Sequence, residues 1–163
     1  MKPILTLIPK AAKTAMTAVF AALLFVSCVS DDTPDDPADG SLVKVGDAVP
    51  AFTVTLDDGT TFTSPNDLPG HTTVLVFFNT TCPDCQRKLP LLQARHDAGE
   101  RIVCISRAES AADIAAYWTA HALTLPYAAV PDRSIYNLFA QSGIPRTYTV
   151  SPQARILSLT ASK

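Results

Sequence analysis

Residues 72–90 read TTVLVFFNTTCPDCQRKLP, an apolar run that ends in two cysteines three positions apart. The unbroken segment VLVFF, residues 74–78, suits a central parallel strand buried on both faces. Pro83 fits the first turn of a helix, where its missing N–H would have no intrahelical partner, and Asp84 suits the positive end of the helix dipole. The stretch therefore predicts a strand, a short loop and a helix that starts at Cys82 and Cys85.

That placement points to sulfur chemistry. A thiolate is the nucleophile in disulfide exchange, and the unpaired N–H groups of a helix start stabilise one. Cys82 is the better-placed attacker. A mixed disulfide formed there can be resolved by Cys85, one turn on, which releases the partner and leaves a Cys82–Cys85 disulfide. Two other readings compete with this one. A structural zinc site wants four Cys or His ligands, usually in two pairs, whereas Cys104 and the three histidines show no ligand spacing. A purely structural disulfide across so short a loop would restrict the unfolded chain little.

Outward from this stretch, residues 51–56 and a second segment through Thr63 flank Asp57, Asp58 and Gly59, a strong hairpin signal. SPNDLPG then forms a loop into the buried strand. Gly99 stops the cysteine helix. RIVCIS, residues 101–106, reads as another strand, in which Cys104 is a small buried hydrophobe. Ser110 with Asp113 three residues on resembles a capping box, and Ile114 and Trp118 share a helical face. A short strand over residues 127–130 precedes a third helix from about Ser134, carrying Ile135, Leu138 and Phe139 and closed by Gly143. Two final strands follow, the last over residues 155–159. This order predicts an α/β domain with a mixed central sheet and a leading hairpin.

The opening VGDAVPAFTVTLDDGTTFTSPNDLPG, the strand with CPDC, Pro90 within the helix and GIPRTYTV from Gly143 together resemble the thioredoxin-like, membrane-attached thiol:disulfide oxidoreductases called TlpA-like or redoxin proteins. The resemblance covers about residues 45–159 and implies a thioredoxin-like fold. It also implies a cis bond between Ile144 and Pro145, beside the cysteine pair, where the backbone before the proline pairs with an extended substrate peptide. Arg146 follows that proline, and we expect it to touch substrate or stabilise the thiolate. Arg107, after a strand end, is a weaker candidate for the same site. Three features depart from the pattern. Thr81 replaces the usual aromatic before the first cysteine, Lys88 stands where an acid linked to proton handling is expected, and the sequence ends at Lys163 without the usual final helix. The last departure predicts an apolar sheet face in need of another cover.

At the other end, Lys2, Lys10 and Lys13 precede an apolar segment over residues 15–26 that is too short for a comfortable membrane span. We read residues 1–28 as a signal peptide. FVSC, residues 25–28, resembles a bacterial lipoprotein processing site and implies lipidation of Cys28, with a membrane anchor. Residues 29–41, VSDDTPDDPADGS, read as an acidic disordered tether. Asp31 and Asp32 resemble an outer-surface display signal of some Gram-negative lipoproteins. The domain then occupies residues 42–163. Its acidic and basic residues balance, so no basic patch suggests nucleic-acid binding.

The expected function is an exported, anchored oxidoreductase acting on protein or peptide thiols and disulfides. It requires no metal or organic cofactor and exchanges electrons with a redox partner. Two alternatives stand beside it. One is a thiol peroxidase of the peroxiredoxin kind, although Leu75 and Asn79 occupy the Pro and Thr positions of the Pro-x-x-x-Thr-x-x-Cys signature. The other is a displayed binding module that keeps a permanent disulfide. His71, His96 and His121 are read as residues that sit at the surface or satisfy local hydrogen bonds.

Overall fold

The computed structural model describes residues 40–162; the segment read as a signal peptide, Cys28, most of the segment read as a tether and Lys163 lie outside them. The chain runs β1 (Phe52–Thr55), β2 (Thr61–Ser64), β3 (Thr73–Phe78), α1 (Pro83–Asp97), β4 (Arg101–Ser106), α2 (Ala111–Ala120), β5 (Tyr127–Ala128), β6 (Arg146–Val150) and β7 (Ile156–Ala161). β1 and β2 form the expected antiparallel hairpin. Its turn is held by Asp58, whose Oδ1 accepts from the Thr60 N–H at 2.8 Å and the Thr60 hydroxyl at 2.6 Å.

The remaining strands form one mixed sheet in the order β5-β4-β3-β6-β7. β3 lies in the middle, parallel to β4 and antiparallel to β6, and all six of its residues are buried. That explains why its sequence is apolar without alternation. The crossovers β3–α1–β4 and β4–α2–β5 step across the sheet in the same direction, so right-handed connections put both helices on one face. Strand periodicity and register assign Val74, Val76, Phe78, Cys104 and Tyr127 to this face. Trp118 of α2 packs there, its ring centroid 5.0 Å from Phe78 and 4.9 Å from Tyr127, while its Nε1–H donates to the Leu125 carbonyl at 2.9 Å. Leu75, Phe77 and Tyr148 face the other way, where Phe139 links Phe77 at 4.8 Å to Phe52 of the hairpin at 5.8 Å. This is a thioredoxin-like α/β fold.

Three expectations need correction. The third helix is only a 3-10 turn over Tyr136–Leu138. Its continuation is diverted because the backbone of the following residues pairs with the entering chain: Leu42 N–H donates to Phe139 O and Gln141 N–H to Gly40 O, both at 2.8 Å. The same contacts bring Gly40 and Ser41, read as the end of the tether, into the folded domain, with Ser41 bridged to Ala140. Finally, the sheet beyond α1 is polar rather than apolar. On the helix side, β6 and β7 present Thr147, Thr149, Ser158 and Thr160, of which the last two are exposed. Hydroxyls at these positions need no hydrophobic cover.

Candidate active site

The site forms at the carboxyl end of β3, where the direction of neighbouring strands changes from parallel β4 to antiparallel β6. Strand order also reverses at β3, with β4 and β5 on one side and β6 and β7 on the other, and a crevice opens at the strand ends where that order reverses. Cys82 is the N-cap of α1 with extended backbone, and Pro83 occupies the first turn as expected. Because Pro83 brings no N–H, the helix start offers those of Asp84 and Cys85. Cys82 is half-buried; Cys85, one turn into the helix, is wholly buried.

The loop before β6 approaches from the opposite side. The Ile144–Pro145 bond is cis, and the Cys82 thiol donates to the Ile144 carbonyl at 3.5 Å. The structure thus brings together four of the residues singled out in the sequence, Cys82, Cys85, Ile144 and Pro145. Cys28 lies outside the described residues. Pro145 falls on the helix face of the sheet, next to α1, whereas Arg146 falls on the opposite face.

Arg146 is therefore not placed to meet a substrate at Cys82. It is fully buried, with Nε donating to the Ser142 carbonyl at 2.8 Å and a terminal N–H donating to Ser41 Oγ at 2.6 Å. Alternation along β6 turns successive side chains to opposite faces, so the residue after a site-facing proline must point away. Its guanidinium supports the loop before the cis bond from beneath.

Burial raises the Cys85 thiol above its ordinary range, and the neighbouring Cys82 adds to the shift; the Asn79 backbone N–H and the Arg107 charge act in the opposite direction. Arg107 is thus the one of the two candidate arginines whose charge acts on Cys85. Its guanidinium also lies 5.9 Å from the Tyr136 ring centroid. Cys104 is fully buried behind the site and its thiol is likewise raised by burial. Asp84, in the first turn of α1, is ion-paired with Arg87.

Sequence reasoning missed the groups that hold the cysteine loop. Thr80 N–H donates to Glu109 Oε2 at 2.9 Å and the Thr80 hydroxyl donates to Oε1. Gln86 Nε2 donates to the Thr80 carbonyl at 2.8 Å, and Asn79 Nδ2 donates to Ala108 O at 3.3 Å. The available signal was positional: Glu109 follows the carboxyl end of β4, beside the carboxyl end of β3. Beside α1 a shallow cavity of about 390 Å³ is lined by Asp84, Arg87, Lys88, Leu91, Pro145 and Ser162.

A dithiol at a helix start, set against a cis-proline loop on a mixed sheet, defines a protein of the thioredoxin-like class. The chain belongs to the AhpC/TSA family, whose model matches residues 45–158. Among solved structures it is similar to a candidate protein disulfide isomerase from Bacteroides thetaiotaomicron, with 27% identity, a TM-score of 0.66 and coverage of 75% of this chain and 81% of the other. The thioredoxin domain of a thiol-disulfide oxidoreductase from Bacteroides vulgatus is similar at 19% identity and TM-score 0.65, covering 74% and 91%. A candidate thiol:disulfide interchange protein DsbE from Chlorobium tepidum is similar at 20% identity and TM-score 0.64, covering 73% and 86%. No curated protein matches the sequence.

Proposed function

We propose that the chain is an exported, lipid-anchored thiol:disulfide oxidoreductase in which Cys82 attacks and Cys85 resolves. The observation that carries this reading is the unequal setting of the two thiols: Cys82 is partly exposed at the helix start against the Ile144 carbonyl, and Cys85 is buried one turn on. In the reducing direction the Cys82 thiolate attacks a substrate disulfide. A bond forms between Cys82 and one substrate sulfur, and the other substrate sulfur leaves as a thiolate. The Cys85 thiolate then attacks Cys82, the Cys82–Cys85 bond forms, and the second substrate sulfur leaves. The substrate gains two electrons, and a redox partner restores the dithiol. The oxidising direction is the reverse sequence.

Burial keeps Cys85 protonated while the mixed disulfide forms, which separates attacker from resolver; Arg107 and the Asn79 N–H favour its later ionisation. Pro145 and Ile144 border the substrate groove. The cysteine at position 28 and the acidic segment after it support an anchored protein at the bacterial envelope. The peroxidase alternative has less support, because Asn79 supplies no hydroxyl and its side-chain N–H is directed to Ala108.

The test is the reduction potential of the Cys82–Cys85 pair, measured by equilibration against glutathione and dithiothreitol buffers with alkylation of free thiols. A reversible value between roughly −120 and −280 mV places the pair among exchange catalysts and sets its direction. A pair that stays oxidised beyond roughly −300 mV behaves as a structural disulfide and overturns the reading in favour of a binding module.

A further inference from the structure

The groove beside α1 carries an unbalanced charge at a defined distance from Cys82. Asp84, Lys88 and Leu91 follow one another at helical spacing along the flank of α1 that lines the groove, and Pro145 and Ser162 form its other side. The Asp84 carboxylate is taken up by Arg87, whereas the Lys88 ammonium makes no ion pair among the described residues. The sheet supplies no opposing acid: the helix-side positions of β6 and β7 are Thr147, Thr149, Ser158 and Thr160. Leu91, 63% exposed, adds an apolar contact at the far end. The groove is continuous with the cis-proline loop that meets Cys82.

Resting on the oxidoreductase reading, we propose that this groove selects acidic substrates: peptide or protein segments with Asp or Glu about three residues from the reacting cysteine. The spacing follows from helix geometry. Lys88 lies six residues beyond Cys82, which at 1.5 Å per residue is about 9 Å along α1, the length of about three residues of extended peptide. A carboxylate at that distance meets the Lys88 ammonium while the substrate sulfur lies at Cys82. A basic residue there meets like charge on a partly desolvated surface. Lys88 is thus a specificity residue.

The experiment uses the full chain and three symmetric disulfide-linked peptide dimers that differ only in having Glu, Gln or Lys three residues on either side of the cysteine. Reaction of the dithiol chain with each dimer yields the oxidised chain and two peptide thiols, and the second-order rate is followed by thiol release. If the potential favours the opposite direction, the disulfide chain is mixed with the peptide thiols instead. The Glu peptide should react about three- to tenfold faster than the Lys peptide at low salt, with the ratio collapsing toward one in 0.5 M salt. Lys88→Glu should invert the order. Equal rates for the Glu and Lys peptides, or an order unchanged in Lys88→Glu, overturn the inference while leaving the oxidoreductase reading standing. Absence of exchange with all three peptides overturns that reading itself, a separate failure.

Discussion

Glu109, three residues past the end of β4, holds Thr80, two residues before the first site cysteine, through both the backbone N–H and the hydroxyl of Thr80. The carboxylate thereby fixes the loop that sets Cys82 over α1. Replacing it with Glu109→Gln leaves one acceptor for two donors and removes the charge from both bonds. The expected loss is about 1–2 kcal/mol of stability. Displacement of the attacking sulfur should also slow disulfide exchange about tenfold. Urea unfolding and peptide-disulfide kinetics check this. In a double-mutant cycle with Thr80→Val the two effects should be strongly non-additive, since both residues belong to one network; simple additivity would show that Glu109 acts elsewhere.

Cys85→Ala should trap the reaction halfway. Cys82 still attacks, but no thiol stands one turn away to displace the substrate, so a protein–peptide mixed disulfide accumulates that mass spectrometry detects. Cys82→Ala should form none, because the two thiols that remain among the described residues, Cys85 and Cys104, are both buried. Accumulation in both variants would contradict the assignment of attacker and resolver.

The raised Cys85 thiol makes stability depend on redox state at alkaline pH. Above about 8.5 the unfolded chain releases thiol protons that the folded dithiol form still holds. The unfolded state then binds fewer protons, and stability falls as pH rises, by up to about 1.4 kcal/mol per pH unit for each such group. Cys85 and Cys104 both contribute in the dithiol form. Only Cys104 contributes once Cys82 and Cys85 are joined. Denaturant melts between pH 8 and 9.5 should therefore show the steeper decline for the dithiol form. Parallel declines would mean that Cys85 is not held protonated by burial.

The elements legible in the sequence are those whose signals are local. The apolar run of β3, the proline-tolerant start of α1, the Asp58–Gly59 turn and the Ser110 cap each depend on neighbours a few residues away. Ser110 Oγ does accept from the Asp113 N–H, at 3.2 Å. What escaped depends on chain segments distant in sequence. The third helix shrank to a turn because residues 40–42 take its backbone partners, a contact across about a hundred residues. Arg146 neighbours Pro145 in sequence, but alternation along β6 sends it to the opposite face. Glu109 carries no local motif at all; only the parallel pairing of β3 and β4 brings it to Thr80.

Gly143 offers the last test, because it combines a backbone requirement with contact on the loop that meets Cys82. Its φ is +80°, a region in which a side chain costs about 1–2 kcal/mol. A Cβ there would also lie 3.0 Å from the Ser162 carbonyl, next to β7, while the Gly143 carbonyl is held by the Tyr136 hydroxyl at 2.7 Å. With the carbonyl side held, Gly143→Ala should displace Ile144 and Pro145. Gly99 supplies the control: its φ is +95°, nothing lies within 4 Å of a Cβ built on it, and it sits at the far end of α1. Both variants should unfold at lower denaturant, by about 1–2 kcal/mol for Gly99→Ala and more for Gly143→Ala. Only Gly143→Ala should also slow exchange at Cys82 under conditions where both remain folded. Equal exchange rates in the two would show that the cis-proline loop does not depend on its glycine for its position against the cysteine.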